Sequence, residues 1–104
     1  MTTYTAPTKD MAFVLHELLE IEKQEILGYS DMTPDFTSAI LEEAGKLNSE
    51  ILHPRNSIGD KEGCRLENGV VYTPTGFKEA FDQIRLGGWT GIDCDPKYGG
   101  QGIP

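Results

Sequence analysis

The sequence predicts an all-α protein of about three helices, with a small irregular loop or hairpin and a glycine-rich tail. Apolar residues recur at helical spacing in the first half of the chain. A Thr-Pro-Asp start signal at residues 33–35 separates two such segments. Glycine pairs follow a third, shorter helical pattern. These three observations favour helices over a sheet.

The first helix is expected near residues 9–26. Thr8 is the predicted cap, and Asp10 lies in the first turn, where the helix dipole favours a carboxylate. The apolar stripe consists of Met11, Val14, Leu15, Leu18 and Leu19. The pattern weakens after Ile21, and Gly28 ends the helix at the latest.

The second helix is expected over residues 34–53, capped by Thr33 with proline at the first helical position. Its apolar face consists of Phe36, Ala39, Ile40, Ala44, Leu47 and Ile51. Pro54 is the predicted end, because the residue before a proline disfavours helical backbone. Gly45 costs up to ~1 kcal/mol relative to alanine in a helix and is expected to permit the close approach of a neighbouring helix.

Residues 55–73 are expected to form an irregular loop with a small hairpin. The turn dipeptide is Asn68-Gly69, and residues 70–73 are rich in β-branched and aromatic side chains. A third helix is expected over residues 75–86, where the glycine pair at 87–88 ends it. Its apolar side consists of Phe77, Ala80, Phe81 and Ile84.

Composition limits the class of protein. The chain has 104 residues, enough for one small domain, and a formal net charge of -8. An acidic chain is repelled by nucleic acid and by anionic membrane surfaces. No apolar run reaches the ~20 residues of a membrane span. Residues 1–10 lack the basic and apolar regions of a signal peptide, so a cytoplasmic location is expected.

The residues able to do chemistry are few. His16 and His53 are the two histidines, and a structural role is expected for both. The sequence places no acidic or nucleophilic partner beside His16, and His53 is expected at a helix C-terminus, where partial positive charge is favourable. Cys64 and Cys94 could form a disulfide, but free thiols are favoured in a reducing compartment. The cysteine and histidine spacing does not support metal binding. The sequence therefore assigns no catalytic, cofactor-binding or metal residue.

Two glycine-bearing segments suggest binding loops, and both have a plainer interpretation. Residues 99–102 match neither a P-loop nor a dinucleotide fingerprint, so a structural turn is expected. Residues 59–63 resemble part of a calcium loop but lack its alternating oxygen ligands.

Charged and aromatic side chains also receive structural interpretations. The solvated helix faces are expected to carry Glu17, Glu20, Glu22, Glu25, Glu42, Glu43 and Glu50. A packing cluster under the glycine tail is expected to consist of Phe77, Phe81, Trp89 and Tyr98.

Four segments in order resemble the acyl-CoA dehydrogenases, in particular the 3-methylmercaptopropionyl-CoA dehydrogenase-like branch of larger bacterial members. They are YTAP with DMAFVL (residues 4–15), RNSIGD with a following glycine (55–63), GVVYTPTGFKEAF (69–81) and GWTGIDCDPKYGGQGIP (88–104). The second segment departs from the family in having Arg55-Asn56 where Asn-Arg is usual.

The resemblance implies that residues 1–104 form the N-terminal helical domain, truncated before a central β domain and a C-terminal helical domain. In the full-length parent it implies FAD, an acyl-CoA substrate and α,β-dehydrogenation of the thioester. The glycine-rich end is not expected for a complete domain. No cofactor and no activity are expected for this fragment alone, because the flavin domain and the catalytic glutamate come later in such enzymes.

The alternative hypothesis is a small acidic helical module that dimerises and binds other proteins. In either case the helix faces that a larger enzyme would cover are expected to associate, most simply in a homodimer. Leu18→Asp or Ile40→Asp should then weaken the dimer and the fold together, if one apolar stripe serves both.

Overall fold

The first helix has two parts. In the computed structural model, which describes residues 3–26 and 28–104, α1 (Thr8–Ala12) continues as a π-helical segment over Phe13–Leu18. Thr8 is the first helical residue and makes no side-chain cap, so the predicted cap is wrong. The predicted end at residue 26 is also wrong, because Glu20 adopts a left-handed conformation with φ of 46°. A left-handed residue interrupts the helical hydrogen-bond ladder and reverses the chain.

After this reversal the chain forms two short 3₁₀-helical turns, Ile21–Lys23 and Tyr29–Asp31. Ile21 and Met32 are buried, with 7% and 8% of their surface exposed. Much of the small core thus comes from a connecting segment and not from the predicted helix faces.

The start of α2 (Pro34–Lys46) agrees with the prediction. The Thr33 hydroxyl accepts a hydrogen bond from the backbone N–H of Phe36 at 3.3 Å, and Pro34 occupies the first turn. This cap satisfies one of the N–H groups that a helix start leaves unpaired. Gly45 does permit a close approach, but to Ala6, which lies before α1.

The predicted end of this helix at Pro54 is wrong. A π-helical segment, Leu47–Leu52, follows α2 and leads directly into α3 (His53–Glu62). Proline in an ordinary helix interior clashes with the carbonyl four residues earlier and lacks an N–H. The wider π turn changes the register just before Pro54, which then occupies the first turn of α3. Residues 55–62, predicted to be irregular, are therefore helical.

The predicted hairpin is confirmed. Strands β1 (Arg65–Glu67) and β2 (Val70–Tyr72) pair antiparallel across Asn68 and Gly69, whose φ angles are 52° and 77°. Two positive φ values in a two-residue loop are typical of a type I′ turn.

The third predicted helix is α4 (Phe77–Leu86), which begins two residues later than expected. Gly76 precedes it with φ of 85°, and the glycine pair at 87–88 follows it as predicted. The tail then forms 3₁₀-helical turns at Trp89–Gly91 and Pro96–Tyr98. The predicted all-α class with a small hairpin and a glycine-rich tail is confirmed.

These elements form a flat body of 54 × 36 × 17 Å. Its radius of gyration is 17.4 Å, whereas a compact chain of this length has about 13 Å. Its accessible surface is 7981 Å² for 11.5 kDa, whereas a compact monomer of that mass exposes about 5,800 Å². The chain thus exposes about 2,200 Å² more than a compact monomer would.

Candidate functional site

His16 has partners that the sequence did not indicate. Its side chain is 10% exposed, and its Nε2 lies 2.6 Å from the Thr37 hydroxyl oxygen. Thr37 donates its one hydroxyl proton to the Pro34 carbonyl at 3.2 Å, so Nε2–H is the donor to Thr37. The buried Nδ1 makes no hydrogen bond and lies 3.5 Å from a carboxylate oxygen of Glu22. The chain reversal at Glu20 brings this carboxylate back toward His16.

The arrangement of Thr37, His16 and Glu22 resembles the nucleophile, base and acid of a catalytic triad. However, Thr37 is only 3% exposed and its proton is committed to a backbone carbonyl, so no substrate reaches it. The cluster joins the first helix to α2. The structural role predicted for His16 fits this geometry. Thr37 and Glu22 were missed because their contacts with His16 depend on how the chain turns after the first helix.

The junction between α3 and α4 depends on two glycines. The Phe77 ring lies over Gly59, and a Cβ at that glycine would come within 2.6 Å of the ring. The Arg55 guanidinium packs on Gly76, and a Cβ added to that glycine would lie 2.8 Å from the guanidinium. A larger residue at either place would displace the side chain packed on it, and Gly76 also has a φ of 85°, which L side chains rarely adopt.

Glu62 also stabilises the junction between α3 and α4. Its carboxylate accepts hydrogen bonds from the backbone N–H of Thr75 at 2.8 Å and from the Thr75 hydroxyl at 3.0 Å. The hydrogen bond from the Thr75 backbone N–H is the main cause that holds the pKa of Glu62 below its usual range, and the hydroxyl hydrogen bond is the second. The segment compared with a calcium loop is thus the end of α3, and Glu62 serves as a structural acceptor.

A groove of about 260 Å³ runs between α3 and α4. Its lining consists of Leu52, Arg55, Asn56, Phe77, Ala80, Phe81 and Ile84. Arg55 contributes a buried Nε that has no hydrogen-bond partner. An apolar occupant of this groove would leave that polar group unpaired.

The glycine tail folds back on the segment just before it. The backbone N–H groups of Gly100, Gln101 and Gly102 donate to the carbonyls of Asp95, Gly91 and Cys94 at 3.2, 3.0 and 2.9 Å. A Cβ at Gly100 would overlap the Cys94 carbonyl. The predicted structural turn is present, and the surface that it approaches belongs to residues 91–95.

The predicted aromatic cluster under the tail does not form as one unit. Trp89 lines a cavity of about 150 Å³ with Ile40, Ile92 and Ile103. Phe77 and Phe81 line the α3–α4 groove instead, and Tyr98 is 79% exposed beneath the Lys97 ammonium, 4.8 Å from its ring centre. The α4 aromatics and the tail therefore belong to different sites.

His53 lies beside the N-terminal segment. Its ring is 6.1 Å from that of Tyr4, centre to centre, at 33°. The two rings line a polar cavity of about 320 Å³ with Asn48 and Asn56. These lining residues include no carboxylate and no thiol, and the arrangement offers packing and hydrogen bonding.

Cys64 and Cys94 are both free and exposed, as expected from the sequence. Within residues 3–26 and 28–104, no three side chains of the His, Cys, Asp and Glu types are arranged to hold a metal ion. No helix in that part of the chain has the length and apolar character needed to span a bilayer.

Comparison with known proteins shows what the chain is similar to. No family model matches the chain. Over 103 residues the chain is 41% identical to 3-methylmercaptopropionyl-CoA dehydrogenase of Ruegeria pomeroyi. The match covers 98% of this chain but only 18% of that protein, so the chain spans less than a fifth of its relative's length. The chain also carries the four motifs described above. It therefore corresponds to a segment of an acyl-CoA dehydrogenase.

Proposed function

We propose that residues 1–104 form the N-terminal helical domain of an FAD-dependent acyl-CoA dehydrogenase. The observation that supports this proposal is the 41% identity along nearly the whole chain. In the full-length parent, a carboxylate removes the α-proton of an acyl-CoA thioester and the β-hydrogen leaves as hydride. FAD supplies the hydride acceptor when it is bound.

The glycine tail of this chain does not fit the pyrophosphate group of a flavin cofactor. A pyrophosphate group needs free backbone N–H donors, usually in a glycine-rich loop. In the glycine tail, the amides of residues 100–102 already donate to backbone carbonyls of residues 91–95. The proposal therefore assigns the flavin contacts and the catalytic carboxylate to other parts of the enzyme, and it expects no activity of the fragment by itself.

The role of this segment is that of a scaffold. Its excess of about 2,200 Å² of surface matches the area that an obligate interface buries, and many of its large apolar side chains are exposed. In the full-length parent the rest of the enzyme covers this surface. In the isolated chain a second copy covers it, as a homodimer.

A cytoplasmic location is part of the same proposal. Two free, exposed thiols are typical of proteins in a reducing compartment.

Titration with FAD tests the proposal that this segment does not bind the flavin. The purified chain should be colourless and should leave the fluorescence of added flavin unchanged. Saturable quenching at micromolar protein would contradict it. A dehydrogenase assay with short acyl-CoA thioesters and an artificial electron acceptor should likewise show no turnover.

The second candidate is the small dimerising interaction module, which the same excess of exposed surface favours. Reading the gene beyond codon 104 separates the two hypotheses. An open frame that continues for several hundred codons supports the dehydrogenase, and a stop codon supports the module.

A further inference from the structure

The three arginines of the chain differ in how their charge is neutralised. Arg65 Nε lies 3.0 Å from a carboxylate oxygen of Glu67. Arg85 Nη2 lies 3.4 Å from a carboxylate oxygen of Asp82. Arg55 is half-buried, and it forms no ion pair in the part of the chain that the structure describes. The arginine that is most shielded from water is therefore the one without a counter-ion.

The guanidinium of Arg55 is held in a place that costs free energy. It packs on Gly76, and its Nε is covered by the protein without a hydrogen-bond acceptor. A buried polar group without a partner costs about 1–3 kcal/mol, and a charged group costs more. Because the charge of a guanidinium is delocalised over its three nitrogens, an anion beside its terminal N–H groups offsets this cost even while Nε stays covered.

The α3–α4 groove beside Arg55 has apolar walls. Ala80 is buried, whereas Phe77 and Phe81 keep 37% and 55% of their surface exposed. Arg55 is the one charged residue among the lining residues, which include no carboxylate. The exposed amide of Asn56 lies in the same lining and can donate hydrogen bonds. The groove thus combines an apolar surface with a single cation.

We propose that the α3–α4 groove binds a small amphipathic carboxylate, whose apolar body lies against Phe81 and Ile84 and whose carboxylate pairs with Arg55. The site goes beyond the proposed scaffold function, because its lining residues all belong to this chain. Arginine and carboxylate form charge-assisted hydrogen bonds, which are about twice as strong as neutral ones.

Both parts of the ligand follow from the lining. A purely apolar ligand would leave the guanidinium without an acceptor. A small polar anion such as acetate would gain nothing from the apolar walls, and a net charge of -8 repels anions that lack a specific contact. The volume of about 260 Å³ lies just below that of pockets for drug-sized molecules, so the groove suits a smaller one.

A second groove of the chain provides an internal comparison. It has a volume of about 380 Å³ and is lined by Met11, Val14, Leu15 and Leu41, with Asp10 as the one charged residue. The Asp10 carboxylate repels an anion, whereas Arg55 attracts one. A carboxylate ligand should therefore select the smaller α3–α4 groove, although the larger groove is equally apolar.

Titration of the whole chain with octanoate at neutral pH, followed by the backbone amide signals in NMR, tests the site. The signals of Ala80, Phe81 and Ile84 should shift and saturate. Octanamide has the same apolar body without the charge, so it should bind about tenfold to a hundredfold more weakly. Acetate should not shift these signals. This comparison uses the wild-type chain alone and does not depend on how any variant folds.

Matched glutamine variants test the role of Arg55. Arg55→Gln should weaken octanoate binding about tenfold or more and should leave octanamide binding within about threefold. Arg65→Gln is the control, because Arg65 lies in the hairpin and pairs with Glu67, and it should leave both affinities within about threefold. Circular dichroism of each variant checks that its helices remain.

Four results would overturn the proposal. The first is the absence of any saturable shift with octanoate. The second is equal binding of octanoate and octanamide by the wild-type chain, which would remove the role of the Arg55 charge. The third is a set of shifts at Val14 and Leu15, which would place the ligand in the other groove. The fourth is a shift of the Phe81 and Ile84 signals on dilution of the protein alone, which would assign the α3–α4 groove to a second copy.

Discussion

The α3–α4 junction and the C-terminal tail both require glycine, but what each glycine faces is different. At the junction, Gly59 faces the far edge of the Phe77 ring, and Phe77 is 37% exposed. In the tail, Gly100 faces the backbone carbonyl of Cys94. A ring at the surface can rotate away from an added methyl group, whereas a carbonyl held by Gly102 N–H at 2.9 Å cannot.

This difference predicts which region tolerates change. A junction between side chains adapts to a new methyl group at modest cost, because rotamers can change. A loop in which two backbone segments are in contact must open when a side-chain atom is added between them. Three substitutions, in order of decreasing expected cost in stability, test this difference.

Gly100→Ala should have the largest effect. The new Cβ overlaps the Cys94 carbonyl, so the tail must detach from residues 91–95, at a cost of about 3 kcal/mol. Trp89 should become more exposed, and its fluorescence should shift to the red. Gly91→Ala is the control, because its Cβ would meet only the Gly100 Cα at 3.8 Å. If the Trp89 fluorescence of Gly100→Ala did not shift, the tail would not be packed against residues 91–95.

Gly59→Ala should destabilise the α3–α4 junction by about 1 kcal/mol. Displacing the Phe77 ring costs about 1–3 kcal/mol, and the better helix propensity of alanine offsets about 1 kcal/mol. In a Phe77→Leu background the clash disappears, so the same substitution should stabilise the protein by up to about 1 kcal/mol. Urea unfolding at constant protein concentration measures both values. The same effect in both backgrounds would rule out the ring contact as its cause.

Glu62→Gln should have the smallest effect, and its sign depends on pH. The folded state lowers the pKa of Glu62, so the ionised carboxylate stabilises the junction above its usual pKa. This contribution is lost as pH falls through the lowered value. The wild-type chain should therefore lose more stability on acidification than the glutamine variant does.

The Thr75 amide signal in NMR provides the direct measurement for Glu62. It should titrate with an acidic midpoint in the wild type and show no such step in Glu62→Gln. Thr75→Ala removes the hydroxyl donor but keeps the backbone one, so it should raise the pKa of Glu62 part of the way to its usual value.

The expectation that one stripe serves both fold and dimer needs correction. Leu18 is 66% exposed and adds little to the core, whereas Ile40 lines the cavity beside Trp89. Leu18→Asp is therefore a probe of association, and Ile40→Asp is a probe of tail packing.

Three local signals in the sequence were reliable, whereas the Thr8 cap and the stop at Pro54 were not. The Thr33 cap, the Asn68-Gly69 turn and the glycine stop after Leu86 were all found where they were predicted. Each depends on hydrogen bonds or φ angles within a few residues, so the nearby sequence determines them. The family resemblance also came from the sequence alone.

The remaining features depend on packing between segments that are distant in the sequence. The helix passes Pro54 because a π-helical segment changes its register, and His16 meets Glu22 because Glu20 reverses the chain. The exposure of Phe13 and Leu18 on the first helix was likewise not evident from its apolar pattern. Such features depend on contacts between segments distant in sequence, whose free energies the local pattern does not contain.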